Sequence, residues 1–196
     1  MNTVHRLSFS RFGELDLSTR TAFITELHET MDEPFSNSST ATELLESFEH
    51  KLAYWVLMAD KTAVGLFALS LSITFPQRYQ TTSFILKNWR GNRLGPLVKI
   101  AVAQSFLEKQ VPLITCVRDG NLPSIRSLQR TFPELTSEKK LSATKNMHGE
   151  SYYLHVFNLS MVNSREVPRE ARSLTETMNS WLEQQNVSFL GNELAL

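Results

Sequence analysis

The sequence lacks the features that would crosslink the chain, anchor it in a membrane or give it one dominant charge. Cys116 is the single cysteine among 196 residues, which excludes an intrachain disulfide and a zinc site built from several cysteines. The longest apolar stretch, Val64–Phe75, is interrupted by serine and threonine and is too short to cross a bilayer. Lysine plus arginine number 20, as do aspartate plus glutamate, so the net charge is zero and does not indicate a dedicated nucleic-acid or anionic-membrane binder. The first residues contain no apolar segment typical of a secretory signal, and we expect a soluble cytoplasmic protein.

The histidines show no spacing typical of a metal site. They are spread over separate predicted elements, and no two of them form a paired ligand motif. Cys116 lies in the middle of a predicted strand, where a buried thiol is expected to be structural. We therefore predict that the protein holds no metal. The five histidines are His5, His28, His50, His148 and His155.

Hydrophobic patterns predict strands and helices in one continuous order. Thr40 and Glu43 form a capping box before a helical stripe, and Asn121 is a candidate N-cap for a later helix. In order, the predicted elements are strand Leu7–Leu15, helix Ser18–Met31, a helix from Thr40 to Leu52, strands Tyr54–Ala59, Thr62–Phe75 and Thr81–Leu86, a helix from Leu94 to Gln110, strand Pro112–Val117, helix Leu122–Phe132 and strand Ser151–Leu159.

This order predicts an α/β (α+β) fold. A meander of strands that leads into a β–α–β crossover gives a mixed, mostly antiparallel central sheet with helices on both faces. After Asn163 the chain becomes polar, and Pro168–Gln185 carries a helical stripe that includes Trp181. We predict one domain over residues 1–162 and a C-terminal helical extension over residues 163–196. The extension would pack on the domain, form a dimer contact or act as a lid.

One segment combines a strand end, a loop with glycines and cations, and a helix start. It is Phe84–Gly95, with the sequence FILKNWRGNRLG. The N–H groups that open the following helix have no partner within it, and the helix dipole favours an anion there. Gly91 and Gly95 would let a ligand approach the backbone closely. The segment is a candidate diphosphate cradle; the alternative is an ordinary strand–helix turn with a solvated basic rim. Its cations are Lys87, Arg90 and Arg93.

The same segment resembles the acyl-CoA motif of the GNAT superfamily of N-acetyltransferases, which reads Arg/Gln-x-x-Gly-x-Gly/Ala at a strand–helix junction. Residues 90–95 (Arg-Gly-Asn-Arg-Leu-Gly) align with it without a gap, and Trp89 occupies a position that is often aromatic in the family. Downstream, strand Pro112–Val117, then Asn121, then a helix with the small residue Ser124 follow the family layout. The resemblance extends roughly over residues 7–159 and is strongest over residues 81–132.

The resemblance implies a GNAT-like fold and a CoA-dependent enzyme. The enzyme would move an acetyl or other short acyl group from acyl-CoA to an amine of a small molecule or peptide, by direct attack on the thioester. Acetyl-CoA would be the co-substrate, with its diphosphate on the backbone of residues 90–95 and its pantetheine arm beside the strand end. A backbone N–H near Ile85 would stabilise the developing oxyanion. The implied cofactor-binding residues are Ile85, Lys87, Arg90, Gly91, Asn92, Arg93, Leu94, Gly95, Asn121 and Ser124.

The sequence departs from the family pattern at four places. Arg93 replaces the first motif glycine, and Phe132-Pro133 replaces the Gly-Phe pair that commonly ends the downstream helix. Leu128 aligns with the frequent general-acid tyrosine, and leucine cannot donate a proton. Many relatives also carry a glutamate on the strand before the motif, whereas Thr81–Leu86 has no acidic residue.

No catalytic acid or base is therefore assigned, although a free alkylamine with a pKa of about 10 must lose a proton before it attacks. His155 could face a cleft, but a single histidine on a strand is more often structural. Tyr152 and Tyr153 cannot both face the same side of a strand, so one of them would line the substrate site. Asp32 and Glu33 lie between the two early helices, either in an acceptor pocket or in a solvated loop.

Two other functions stay open at this point. The first is a catalytically impaired acyl-CoA-binding or protein-interaction module, which Leu128 and Arg93 would explain. The second is a nucleic-acid contact, which the zero net charge disfavours. We predict no nucleic-acid or membrane partner and regard a homodimer as compatible with the sequence. The cations that such a contact would use are Lys87, Arg90, Arg93 and Lys99.

Overall fold

The computed structural model describes residues 6–30, 54–72, 75–143 and 149–184, which form seven strands and four α-helices. None of these helices is long and apolar enough to cross a bilayer. The strands are β1 (Leu7–Arg11), β2 (Tyr54–Ala59), β3 (Thr62–Leu71), β4 (Tyr79–Ile85), β5 (Leu113–Arg118), β6 (Ser137–Leu141) and β7 (Tyr153–Asn158). The helices are α1 (Leu17–Thr30), α2 (Leu94–Glu108), α3 (Leu122–Thr131) and α4 (Arg172–Gln184).

The strands form one mixed sheet in the order β1-β2-β3-β4-β5-β7-β6. Strands β1 to β4 are an antiparallel meander. β4 and β5 are parallel, because α2 connects them as a crossover, and β7 pairs antiparallel with both β5 and β6. The predicted α/β (α+β) fold with a mostly antiparallel sheet is confirmed.

Both faces of the sheet are covered, as the alternation along β2 illustrates. Trp55 and Leu57 face the larger core, which also contains residues of α2, α3 and α4. Val56 and Met58 face a smaller core with three buried side chains of α1. Successive residues of a strand point to opposite faces, so the continuous apolar run of β2 is the pattern of a strand buried on both sides.

Two of the helices begin at side-chain caps. Before α1, the Asp16 carboxylate accepts the N–H of Thr19 at 2.9 Å. Before α3, the Asn121 amide oxygen accepts the N–H of Ser124 at 3.2 Å, which confirms the predicted N-cap. Each cap supplies an acceptor for an N–H group that has none inside the helix.

Several predicted boundaries are wrong, mostly by a few residues. β1 ends at Arg11 rather than Leu15 because a short 3₁₀ turn, Phe12–Glu14, follows it. β3 ends at Leu71 rather than Phe75, and β4 begins at Tyr79 rather than Thr81. β6 was not predicted. The predicted helix from Thr40 to Leu52 lies outside the described residues.

The C-terminal helix α4 packs on α2 and completes the larger core. The Trp181 ring meets the Trp55 ring edge-on at 5.5 Å between centroids and the Tyr79 ring at 5.9 Å. Of the interpretations given to this segment, a helix docked on its own domain is the one that these contacts match. The division at residue 162 stays a prediction. The buried side chains of the helix are Leu174, Met178, Trp181 and Leu182.

Candidate active site

A groove opens where the two parallel strands of the sheet separate. β4 and β5 pair only from Tyr79–Thr81 to Leu113–Thr115. Beyond these residues β4 stays paired with β3 up to Ile85, while β5 stays paired with β7 up to Arg118. The gap leads into a groove of about 1230 Å³ between the start of α2 and the start of α3.

The end of β4 directs backbone groups of Ile85 toward this gap. Leu86 donates its N–H to the Val64 carbonyl of β3 at 2.9 Å. Because successive residues of an antiparallel strand direct their backbone groups to alternate sides, the N–H and C=O of Ile85 point away from β3 and into the groove. The Ile85 carbonyl accepts a hydrogen bond from Arg90 Nε at 3.0 Å, which agrees with this direction.

Gly65 of β3 lets β4 lie close at this point. A Cβ atom at residue 65 would stand 2.4 Å from the Phe84 carbonyl oxygen and 3.1 Å from Ile85 Cδ1. Both distances are shorter than normal van der Waals contact, so only glycine fits without a shift of β4. The position of the Ile85 backbone therefore depends on this residue.

The loop between β4 and α2 turns sharply through two residues of positive φ. Gly91 has φ 88° and Arg93 has φ 59°, in the left-handed region that glycine adopts most easily. Arg93, which stands where the related motif has glycine, thus keeps the backbone form of a glycine at a steric cost of about 1–2 kcal/mol. Its side chain is exposed on the groove rim.

The start of α2 offers two N–H groups to a ligand. Leu97 is the first residue that donates back into this turn, to the Arg93 carbonyl at 3.2 Å. Pro96 has no N–H, which leaves those of Leu94 and Gly95 without an acceptor inside the helix. The Gly95 Cβ position is open: apart from its chain neighbours and the backbone of α2 itself, one atom of the described residues lies within 4 Å of it, Lys99 Nζ at 4.0 Å. This geometry fits an anionic group on the backbone of the first turn.

The groove is strongly cationic although the whole chain is neutral. Four positive side chains and one carboxylate, that of Asp119, line it. Asp119 accepts hydrogen bonds from Lys139 at 2.8 Å and His155 at 2.7 Å, which lower the pKa of its carboxyl group. Burial lowers the pKa of Lys99 to about 8. The four cations are Arg90, Arg93, Lys99 and Arg118.

The resemblance implies ten cofactor-binding residues. Eight of them line this groove, and the other two, Lys87 and Asn92, do not. Lys87 lies in a 3₁₀ turn before the loop, Lys87–Trp89. Asn121 is engaged as the cap of α3. The cofactor-binding role of all ten stays a prediction. The eight lining residues are Ile85, Arg90, Gly91, Arg93, Leu94, Gly95, Asn121 and Ser124.

The candidate acids and bases are placed as follows. Leu128 is fully buried in the core. His155 is hydrogen-bonded through both ring nitrogens, to Ser137 Oγ at 2.9 Å and to Asp119, and does not line the groove. Burial raises the pKa of the Cys116 thiol to about 11, so it is protonated at neutral pH. Asp32 and Glu33 lie outside the described residues.

Both tyrosines line the groove, which the alternation argument did not foresee. β7 begins at Tyr153, so Tyr152 precedes the regular strand and the alternation rule does not apply to it. The Arg118 guanidinium lies 4.6 Å from the Tyr152 ring centroid and Lys139 Nζ lies 5.0 Å from that of Tyr153.

Arg118 and Asp119 also line the groove, although neither is predicted from the sequence. The available signal was their position at the end of the apolar strand β5 (Arg118) and directly after it (Asp119), since residues at the ends of parallel strands line the crevice there. The described residues contain no cluster of three or more histidine, cysteine, aspartate or glutamate side chains that could hold a metal ion.

The similarities between this chain and known proteins lie in structure and not in sequence. By sequence, the chain matches no protein-family model and no curated protein. It is similar in structure to a GNAT-family acetyltransferase from Bacillus anthracis, with a TM-score of 0.59, 13% identity and coverage of 79% of this chain and 95% of that one. It is similar to a chimera of the Vibrio cholerae spermidine N-acetyltransferase SpeG and hSSAT, with a TM-score of 0.55, 14% identity and coverage of 79% and 96%.

A third similar structure is that of yncA from Salmonella typhimurium, determined with its cofactor acetyl-CoA. Its TM-score is 0.56 at 11% identity, with coverage of 85% of this chain and 99% of that one. The chain therefore has the fold of the GNAT acetyltransferases, and the resemblance found in the sequence is confirmed at the level of the fold.

Proposed function

We propose that the protein is an N-acetyltransferase that moves an acetyl or short acyl group from acyl-CoA to an amine of a small molecule or peptide. The observation that carries this proposal is the gap between β4 and β5 that opens onto a cationic helix start. The fold alone does not choose a function, but this gap is shaped for an extended arm that ends in an anion. The spermidine acetyltransferase among the similar structures makes polyamines the first acceptors to test.

In this proposal the diphosphate of the coenzyme binds at the first turn of α2. The N–H groups of Leu94 and Gly95 donate to it, and the guanidinium groups of Arg90 and Arg93 add positive charge. Arg90 also ties the loop to β4 through the Ile85 carbonyl. The cradle is thus positioned before the ligand arrives, which lowers the entropy cost of binding.

The pantetheine arm would follow the unpaired edge of β4. The Ile85 N–H faces this edge and can donate to the arm or to the thioester oxygen. The coenzyme supplies the activated acyl group. The neutral amine attacks the carbonyl carbon, the carbon–sulfur bond breaks, and the thiolate leaves; the thiol pKa of about 8.5 makes it a good leaving group.

No residue is assigned as catalytic acid or base. Leu128 has no proton to give. Asp119 lines the groove, but the hydrogen bonds from Lys139 and His155 lower its pKa and make it a weak proton acceptor at neutral pH. The groove is open to solvent, so the proposal relies on positioning and on water for the proton transfer.

The test is thiol release from acetyl-CoA against a panel of amines that contains polyamines, amino acids and peptide N-termini. We expect release with at least one class. Arg90→Ala should raise KM for acetyl-CoA about tenfold, because it removes one charged hydrogen-bond donor near the diphosphate. Arg126→Ala, on α3 outside the groove, is the matched control and should behave as the unchanged protein. No release with any amine, together with no coenzyme binding, would overturn the proposal.

A second candidate function is a binding module of the same fold that does not turn over. The full burial of Leu128, where the related motif has its general acid, favours it. In the same assay, tight binding of coenzyme A with no thiol release from any acceptor would select this module over the enzyme. A homodimer and a cytoplasmic location remain parts of the proposal that sedimentation and cell fractionation can check.

A further inference from the structure

One lysine of the groove is placed differently from its other cations. Lys99 lies in the second turn of α2, between the core residues Val98 and Ala101 in sequence. Helix side chains lean toward the N-terminus, and its Nζ reaches the first turn, 4.0 Å from the Cβ position of Gly95. The ammonium thus lies beside the first turn of α2, on the lining of the groove.

Lys99 has no anionic or hydrogen-bonding partner within residues 6–30, 54–72, 75–143 and 149–184. The charged side chains on the surrounding elements are mostly cations: Arg90 and Arg93 on the loop, and Arg118 at the end of β5. The one carboxylate on the groove, Asp119, is already bonded to Lys139 and His155. α2 itself has no acidic residue in its first turn. Lys99 is only partly exposed on the groove, and a partly desolvated cation among other cations, without a counter-charge, is costly. A ligand that brings negative charge would offset that cost.

The backbone of the cradle also has fewer donors than a helix start usually offers. Pro96 removes one N–H from the first turn. We infer that Lys99 is the cation that replaces it: a side-chain ligand of the diphosphate group, whose Nζ lies beside the first turn of α2 on the lining of the groove. This inference rests on the proposed function and extends it by naming the residue of this chain that couples coenzyme binding to proton uptake.

The coupling has a defined pH window. In the free protein, desolvation holds the pKa of Lys99 at about 8, so about half of the molecules carry the proton at pH 8 and nearly all do at pH 6.5. A bound diphosphate favours the charged form. Binding should therefore take up about half a proton at pH 8 and almost none from this group at pH 6.5.

The experiment is calorimetric titration with coenzyme A at pH 8 and pH 6.5, each in two buffers of different ionisation enthalpy. The difference between the buffers gives the protons taken up. Lys99→Met should weaken binding at least tenfold and abolish the uptake at pH 8, while Lys99→Arg should keep most of the affinity without the uptake. Lys109→Met is the matched control: it lies at the other end of α2, bonded to Glu183 at 2.7 Å, and should change neither quantity.

The outcomes separate this inference from the function on which it rests. If the unchanged, folded protein gives no heat with coenzyme A, both the proposed function and the role of Lys99 are overturned. If coenzyme A binds but Lys99→Met neither weakens it nor changes the proton uptake, the inference alone falls. A repeat with 3′-dephospho-CoA, which keeps the diphosphate, should retain the Lys99 effect; its loss there would assign the lysine to the 3′-phosphate and overturn the inference as stated.

Discussion

At the scale of single residues, Lys99 should lower the stability of the ligand-free protein. Its pKa falls from 10.5 to about 8 on folding, so the unfolded chain binds more protons between these values and stability rises with pH across that window. Below pH 8 the folded state bears the full cost, at most about 3 kcal/mol for a shift of this size. Lys99→Met, which keeps the volume and removes the charge, should raise the free energy of unfolding by up to that amount at pH 7.

The check is urea denaturation of Lys99→Met and of the unchanged protein from pH 7 to pH 10.5. The gain in the variant should shrink as the pH rises above 8 and fall to about 0.4 kcal/mol near pH 10.5, where the folded protein is neutral at this site and about half of the unfolded chains keep the proton. A gain that is constant with pH would mean that packing, and not charge, causes it.

A second residue whose replacement should have a large effect is Gly65. Gly65→Ala places a methyl group against the Phe84 carbonyl and should destabilise the protein by about 1–3 kcal/mol, as overpacking in a core does. Since the same shift displaces the Ile85 backbone, coenzyme binding should weaken as well. Gly13→Ala, where a Cβ meets nothing within 4 Å, is the control for chemical denaturation. Equal stability of the two variants would show that β4 has room to move.

At the scale of elements, the strongest patterns were read correctly from the sequence and the weak ones were not. β2 lies where its apolar run predicts it, and α2 begins at the predicted Leu94. β6 is not predicted from the sequence because its residues, SEKKL, have no apolar alternation. Among the described strands it is an edge strand that pairs with β7 alone. Charged side chains on an edge protect it from further pairing. Its strand form comes from β7 and not from its own sequence.

The helix α4 is an element whose importance the sequence understates. Its Trp181 packs edge-on against rings of β2 and β4 and is only 7% exposed. Trp181→Ala should lower the free energy of unfolding by about 3–5 kcal/mol, as large-to-small changes in a core do. Glu176→Ala, on the exposed side of the same helix, should stay within about 0.5 kcal/mol. Thermal unfolding of both variants compares them; a small effect of Trp181→Ala would mean that α4 is dispensable for the fold.

At the scale of the whole molecule, the groove assembles residues that no sequence motif joins. Residues 90–95 were found because they are contiguous and resemble a known pattern. Arg118 and Tyr152 come from β5 and from the start of β7, and only the sheet order brings them to the same gap. The pairing of β5 with β7 depends on long-range contacts, which local patterns do not encode. The sequence therefore predicted the α2 side of the groove and, in Asn121 and Ser124, part of the α3 side. The fold supplied Arg118 and brought both tyrosines to the same groove.

The neutral chain also concentrates positive charge in one place, and this predicts how coenzyme A should affect the stability of the whole protein. A ligand at 100 times its Kd that binds only the folded state adds about 2.7 kcal/mol, or about 5–10 °C in Tm for a chain of this size. The shift should shrink in about 0.5 M salt, because salt screens the groove cations from the phosphates. Pantetheine and adenosine, which lack the diphosphate, serve as controls and should give little shift. A Tm shift with pantetheine as large as that with coenzyme A would show that the protein recognises the pantetheine arm and not the diphosphate. The proposed diphosphate site at the start of α2 would then be wrong.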